Sequence, residues 1–291
     1  MFIGKGFVPS AAHFDYTYNA PNYGNQQIVM TSVTTGVYYI TIRCVSVNPV
    51  VQNITLKAVK LPFAILNVHT ASGGNIGNVT VKISGSLYTN NMTAKLTKSG
   101  TTINASAVYF SNSTTVYATF NLQGKPLGIY DVTLIKPDSS TAVLVNGFSV
   151  VNANNGGLNN GGGVNTGAGN GNAPGCDPGA AGGINSQLVV EMVTPEGVFQ
   201  GWSFVIQINY NNPTNVDIPA QARVLYSEQN IKMAFTASGV VNGTTVLYLE
   251  LTEQDGPPGI IRAGGGGTVT VYTKTPPRGV PIHPIIYFTL K

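Results

Sequence analysis

Charge is what this sequence has least of. Of 291 residues only 9% are Asp, Glu, Lys or Arg, against roughly a quarter in an average soluble domain. The hydrophobic share is 43%, close to the usual, so apolar residues have not taken the vacant places. Gly, Thr, Ser and Asn have. That exchange excludes a helical bundle or coiled coil, whose surfaces need Glu, Lys and Ala. It excludes a disordered chain, which needs low hydrophobicity or high net charge; the formal net charge here is +4. The 35 glycines do not recur at every third position, which excludes collagen. No apolar run is long enough for a membrane-spanning helix, which needs about 18 residues or more. Residues 1–24 lack the apolar core of a signal peptide, so in a secreted protein this chain is expected to be mature or a piece of something longer.

Histidine and cysteine are almost as scarce. His13, His69 and His283 lie far apart, and there is no His-x-x-x-His or Cys-x-x-Cys spacing, so no zinc site is expected. No Gly-x-Ser-x-Gly elbow supports a Ser-His-Asp triad. Glu250, Glu253 and Asp255 cluster at a strand end and turn, where solvated acids are ordinary. With Asp217 they still lack the Asp-x-Asp-x-Asp pattern of a calcium loop. Gly264–Gly267 has no Lys-Ser/Thr after it and reads as a hairpin or bulge rather than a phosphate loop. No catalytic, cofactor-binding or metal-ligating residue is therefore expected, and the chain reads as non-enzymatic. Two cysteines make no disulfide scaffold. Cys44 alternates with Tyr38, Ile40 and Ile42 and is expected to be a buried, inert thiol. Cys176, in a Gly-rich stretch, is expected to be accessible, as a free or intermolecular thiol.

The few charges are unevenly placed. Residues 1–151 hold nine Lys/Arg against three acids, and residues 186–291 hold six against seven. The lysines stand singly and no basic run exists, so no nucleic-acid partner is expected.

What is abundant is strand pattern and turn chemistry. Val116, Ala118, Phe120 and Leu122 alternate on one face; Tyr130, Val132 and Leu134 repeat this after the turn at Gly124–Gly128. Trp202, Phe204, Ile206, Ile208 and Tyr210 form another stripe. Leu247, Leu249 and Leu251 oppose Tyr248 and Glu250, and Ile286, Phe288 and Leu290 close the chain. Such period-2 runs between Gly, Asn and Pro turns predict an all-β chain of β-sandwiches. Residues 152–185, almost wholly Gly, Asn and other small residues, cannot bury enough surface to offset their ordering entropy. They read as a flexible linker whose ends, as a coil, would lie about 30 Å apart.

Within this frame three stretches resemble known modules. Residues 61–151 resemble an IPT/TIG domain, an immunoglobulin-like fold. The likeness rests on Leu61–Val68, Ser72–Gly74 and Val79–Gly85 at the start, and on Pro126–Leu134 and Asn146–Val150 at the end. Tyr130 stands at the family's recurring Gly-x-Tyr-x-Val tyrosine and Phe148 at its last core aromatic. Residues 1–60 resemble the second half of a bacterial pre-peptidase C-terminal (PPC) domain, through Thr35–Ile42 and a closing strand at Asn53–Ala58. The first half is missing, which leaves strand edges and a core face uncovered. Residues 186–291 are similar to CARDB-like repeats, a second immunoglobulin-like sandwich, through Thr194–Gly197, Phe204–Asn212, Val216–Ala220 and Gly264–Val271.

Together these resemblances imply tandem modules of a large extracellular or cell-surface protein. The expected function is a structural segment of a stalk or fibre, held by module-to-module or strand-addition contacts, with neighbouring β-modules or further copies as partners. The alternatives are an adhesin recognising glycan or protein, served by Tyr16, Tyr18 and Tyr23 among Asn19, Asn22 and Asn25, and an accessory region of a secreted enzyme. Six Asn-x-Ser/Thr sequons occur, at Asn53, Asn78, Asn91, Asn104, Asn112 and Asn242. That is about what chance provides in a chain so rich in Asn, Ser and Thr; in a secreted eukaryotic protein they would be N-glycan acceptors.

Overall fold

The computed structural model describes residues 1–18, 26–31, 33–43, 54–153, 188–195, 198–227, 229, 231–253, 255–276 and 288–290. Among them the chain is all-β, in several sheets, with no α-helix. Among the described residues no helix is long and apolar enough to cross a membrane.

The first sheet joins β1 (Phe2–Lys5), β2 (Tyr16–Thr17) and β3 (Tyr38–Thr41), antiparallel, in the order β2-β1-β3. Ile3 is the one buried hydrophobic among the described residues of 1–60. The stripe expected to be buried with Cys44 is not: Ile40 and Ile42 are 37% and 42% exposed. Cys44 itself lies outside the described residues. The expected closing strand is also absent over residues 54–58, which carry no secondary structure and are exposed. Three strands of two to four residues give no second layer for these faces to pack on.

Eight strands follow: β4 (Ala64–His69), β5 (Ser72–Gly74), β6 (Asn78–Ser86), β7 (Thr93–Lys98), β8 (Thr101–Asn112), β9 (Thr115–Asn121), β10 (Gly128–Ile135) and β11 (Thr141–Val151). They form one sheet in the order β4-β6-β9-β8-β7-β10-β11-β5. β5 lies parallel to β11, whereas β4–β6, β7–β8 and β7–β10 are antiparallel. The alternation read from the sequence is what is buried: Val116, Ala118, Phe120, Leu122, Tyr130, Val132 and Leu134 are all fully inaccessible. The β7–β8 hairpin closes through two residues, Ser99 (φ 34°) and Gly100 (φ 85°). Both are left-handed, as a turn matched to strand twist requires.

The last region holds β12 (Val189–Val193), β13 (Ser203–Asn211), β14 (Ile218–Pro219), β15 (Gln221–Ser227), β16 (Lys232–Ala234), β17 (Val246–Leu251), β18 (Ile260–Ile261), β19 (Gly266–Lys274) and β20 (Phe288–Leu290), with one 3-10 turn at Ser238–Asn242. The sheets are β12-β13-β19-β16, β17-β15-β20 and β14-β18. All three feed one core, in which Ile206, Ile208 and Val271 meet Leu225, Leu247, Leu249 and Leu251, with Ile218 and Ile261 beside them. Trp202 leaves the expected stripe and is 64% exposed, because it precedes β13 in a turn. The glycine run is explained by Tyr210, which faces Gly267 in the β13–β19 register. A Cβ on Gly266 would overlap the Tyr210 carbonyl, and one on Gly267 would lie 2.5 Å from its hydroxyl.

By internal contacts the chain divides into two compact units. One comprises residues 1–69, 82–118 and 131–147, the other residues 70–81, 119–130 and 148–291. Strands β6, β9, β10 and β11 each contribute residues to both.

Candidate functional site

The densest polar structure lies in the second unit, where the loop Asn212–Asp217 docks on residues 72–80. The loop is ordered by its own first residue. Asn212 is fully buried, and its Oδ1 accepts from the Thr214 amide (3.0 Å) and hydroxyl (2.7 Å). Its Nδ2 donates to the carbonyls of Val216 (2.8 Å), Ile261 (3.1 Å) and Arg262 (3.0 Å). A side-chain amide has two donor hydrogens and one acceptor oxygen, so nothing on Asn212 is left unused. Asn-Pro-Thr is a local turn signal; its anchoring to Ile261 and Arg262 is long-range.

The docked edge is made by backbone. The Gly74 amide donates to the Asn215 carbonyl (2.8 Å), the Asp217 amide to the Asn78 carbonyl (2.8 Å), and Asn215 Nδ2 to the Asn152 carbonyl (2.9 Å). Residues 74–77 are also held from behind, by the Asn75 amide on Val151 and by Leu122 and Gly124 donating to Gly77 and Asn75. Gly74 has to lack a side chain, since a Cβ there would overlap Asn215 Oδ1. Val216 is buried in the loop.

Two acids are absorbed by this seam. Asp217 Oδ1 accepts from the Ala263 amide at 3.2 Å, while Oδ2 is buried without a hydrogen bond of normal geometry. Burial pushes the Asp217 carboxyl above its ordinary value; the Thr80 hydroxyl and amide, the Ala263 amide and the Arg262 charge oppose that rise without cancelling it. Glu253 is not the solvated acid expected. Its side chain is 8% exposed and its Oε1 lies 2.8 Å from Arg262. Oε2 accepts from the Arg262 Nε (2.8 Å) and amide (3.1 Å). Gly265 has to be small because a Cβ would meet the Glu253 carboxylate at 2.5 Å. The arrangement binds chain to chain.

The first unit carries a separate open cleft of about 410 Å3, lined by Lys5, Asp15, Tyr16, Thr31, Thr34 and Tyr38. Lys5 Nζ donates to Thr34 Oγ1 (2.5 Å), and Asp15 Oδ2 accepts from the Lys5 amide (2.7 Å). The Tyr38 hydroxyl accepts from the Thr34 amide (3.1 Å) and donates to its carbonyl (3.0 Å). One positive and one negative group among hydroxyls suit a neutral polar ligand.

The other residues singled out by sequence do not converge. Asn78, Asn91, Asn104, Asn112 and Asn242 are all exposed, with Asn104 and Asn112 on β8 and the others on separate segments, and Asn53 lies outside the described residues. Asn112 turns β8 into β9 with its Oδ1 accepting from the Thr114 amide (2.9 Å) and hydroxyl (2.8 Å). His13 stacks on Phe7 at 4.1 Å, and His69 ends β4. Tyr16 lines the cleft and Tyr18 is 40% exposed. His283, Cys176, Tyr23, Asn19, Asn22 and Asn25 lie outside the described residues. No group of three or more His, Cys, Asp or Glu is placed to hold a metal among the described residues. Sequence reading missed Asn212, Arg262 and Lys5; only Asn212 had a local signal, its turn motif.

Among known proteins, no family model and no curated relative matches the chain.

Proposed function

We propose that this chain is a non-enzymatic structural segment of an extracellular or cell-surface modular protein. Its modules are a partial PPC-like domain, an IPT/TIG-like immunoglobulin fold and a CARDB-like sandwich, arranged in tandem as part of a stalk or fibre. The observation that carries this reading is the seam. Loop Asn212–Asp217, from the CARDB-like stretch, bonds backbone to backbone with residues 74–78 of the IPT/TIG-like stretch. A mechanical segment needs such a stiff joint, because modules joined only by a Gly/Asn linker transmit no orientation. Tyr130 adds support for the immunoglobulin-like reading. It is fully buried and donates to the Pro126 carbonyl at 2.8 Å, in the manner of the tyrosine corner of such sandwiches.

Calorimetry of the Gly74→Val variant tests the reading. The wild-type chain should unfold with the two stretches coupled. The variant should melt in two separated steps, since overpacking at the seam costs about 1–3 kcal/mol. Identical single transitions in both proteins would count against a coupling seam.

A second reading, an adhesin for glycan or protein, is favoured by the polar cleft and by Phe199 and Trp202. These are 73% and 64% exposed with ring centroids 5.9 Å apart. Thr275 Oγ1 pins their turn through the carbonyls of Phe199 (2.8 Å) and Trp202 (3.2 Å). A glycan array read with the Trp202→Ala variant alongside decides it; binding that the variant loses supports this reading.

A further inference from the structure

The structural reading leaves open how one copy joins the next, and residues 1–60 bear on that. β3 is an edge strand: in the order β2-β1-β3 its outer side pairs with no described residue. Its sequence, Tyr-Tyr-Ile-Thr, has no charge and no proline, the usual guards of a free edge. Tyr39 and Ile40, with Ile42 just beyond, are 37–43% exposed. Twelve positions beyond Ile42, the segment Ile54–Lys60 presents the complement. It alternates Ile54, Leu56 and Ala58 with Thr55 and Lys57, the pattern of a half-buried strand. Yet it carries no secondary structure and every residue in it is exposed, with Ile54 and Leu56 at 59% and 56%.

A sheet that lacks a strand and a strand that lacks a sheet thus sit in one chain without pairing to each other. We propose that Ile54–Val59 of one copy adds to β3 of a second copy as a fourth strand, joining copies head to tail. Backbone bonds along the edge would give affinity, and the apolar side chains on one face would give register. Donor and acceptor are different surfaces, so the contact is heterologous and can repeat from copy to copy, as a ring or an open filament. In one such contact the donor brings Ile54, Leu56 and Val59, 56–60% exposed, and the acceptor edge brings Tyr39, Ile40 and Ile42, 37–43% exposed; each share is smaller than that of a standard stable interface, so the joint is expected to depend on concentration.

The inference rests on the structural reading and specifies its joint. It is tested on the full chain by sedimentation velocity with two variants. Ile54→Asp with Leu56→Asp blocks the donor. Ile40→Lys with Ile42→Lys guards the acceptor edge and repels Lys57 and Lys60. Wild type should form concentration-dependent oligomers, and each variant alone should be monomeric. An equimolar mixture should form heterodimers and nothing larger, because one intact donor and one intact acceptor remain. Wild type that stays monomeric, variants that still oligomerise, or a mixture without heterodimer would overturn the proposal. Should either variant lose its β circular-dichroism signal, a labelled peptide of residues 54–60 replaces it. Saturable binding to wild type that competes with oligomer growth supports the proposal, and no binding refutes it. Neither assay touches the seam at Gly74 and Asn215, so strand addition can fail while the structural reading stands.

Discussion

Asp217 is a carboxyl whose charge this protein disfavours by burying it. The folded chain holds the Asp217 proton more tightly than the unfolded chain does, because burial raises its pKa. The stabilisation this represents is complete below the unfolded carboxylate value, about 3.9, and is lost as pH rises through the folded value. An Asn at this position keeps an acceptor for the Ala263 amide and carries no charge. Asp217→Asn should therefore melt higher than wild type at pH 7, with the gap closing towards pH 3.5. A gap that is constant or reversed with pH would show the carboxylate is not the cause. Glu253 is the opposite case, an acid fully compensated by Arg262. Arg262→Ala strands the buried carboxylate and should cost about 3–5 kcal/mol in urea unfolding; a loss under 1 kcal/mol would mean that solvent reaches the pair. Neither role was legible in sequence. Glu253 and Arg262 are nine residues apart across the Pro258–Gly259 turn, and Asn212 reaches carbonyls 49 and 50 residues away.

At the scale of elements, period 2 located the strands well where the marked faces are covered. Thr115–Asn121 and Gly128–Ile135 bury the faces their sequences mark, and Val246–Leu251 alternates as read. The same period misled at Tyr38–Ile42 and at Trp202. Alternation says which side chains share a face, not whether anything covers that face. The closing strand expected at residues 54–58 failed for the related reason that a strand needs a partner. The burial of Tyr130 was legible from its alternation with Val132 and Leu134, and the worth of its hydroxyl is measurable. Tyr130→Phe keeps the ring and removes the hydroxyl that bonds to Pro126, so it should destabilise by about 1–1.5 kcal/mol. No change in the urea midpoint would mean that the bond contributes nothing and the corner is held by packing alone.

Over the whole molecule, the scarcity of charge has a mechanical consequence. With 9% charged residues, surfaces are joined by backbone and amide hydrogen bonds, as at the seam, and edges such as β3 are left without the usual guards. Such contacts depend little on salt, since screening acts on charges. Of the Gly/Asn stretch read at residues 152–185 only residues 152 and 153 are among the described residues, and the docking of Asn212–Asp217 beside Asn78 was invisible to the sequence. The two partners are more than 130 residues apart and meet through main-chain atoms that any sequence has. The central claim is that this docking, and not the stretch between, holds the two regions together. It is tested most directly by placing a specific protease site at residues 165–170, cutting the purified chain and passing it over a sizing column. The account predicts that the two fragments co-elute in low and in 0.5 M salt and separate in the Gly74→Val background. Separation of the wild-type fragments on cutting would contradict it.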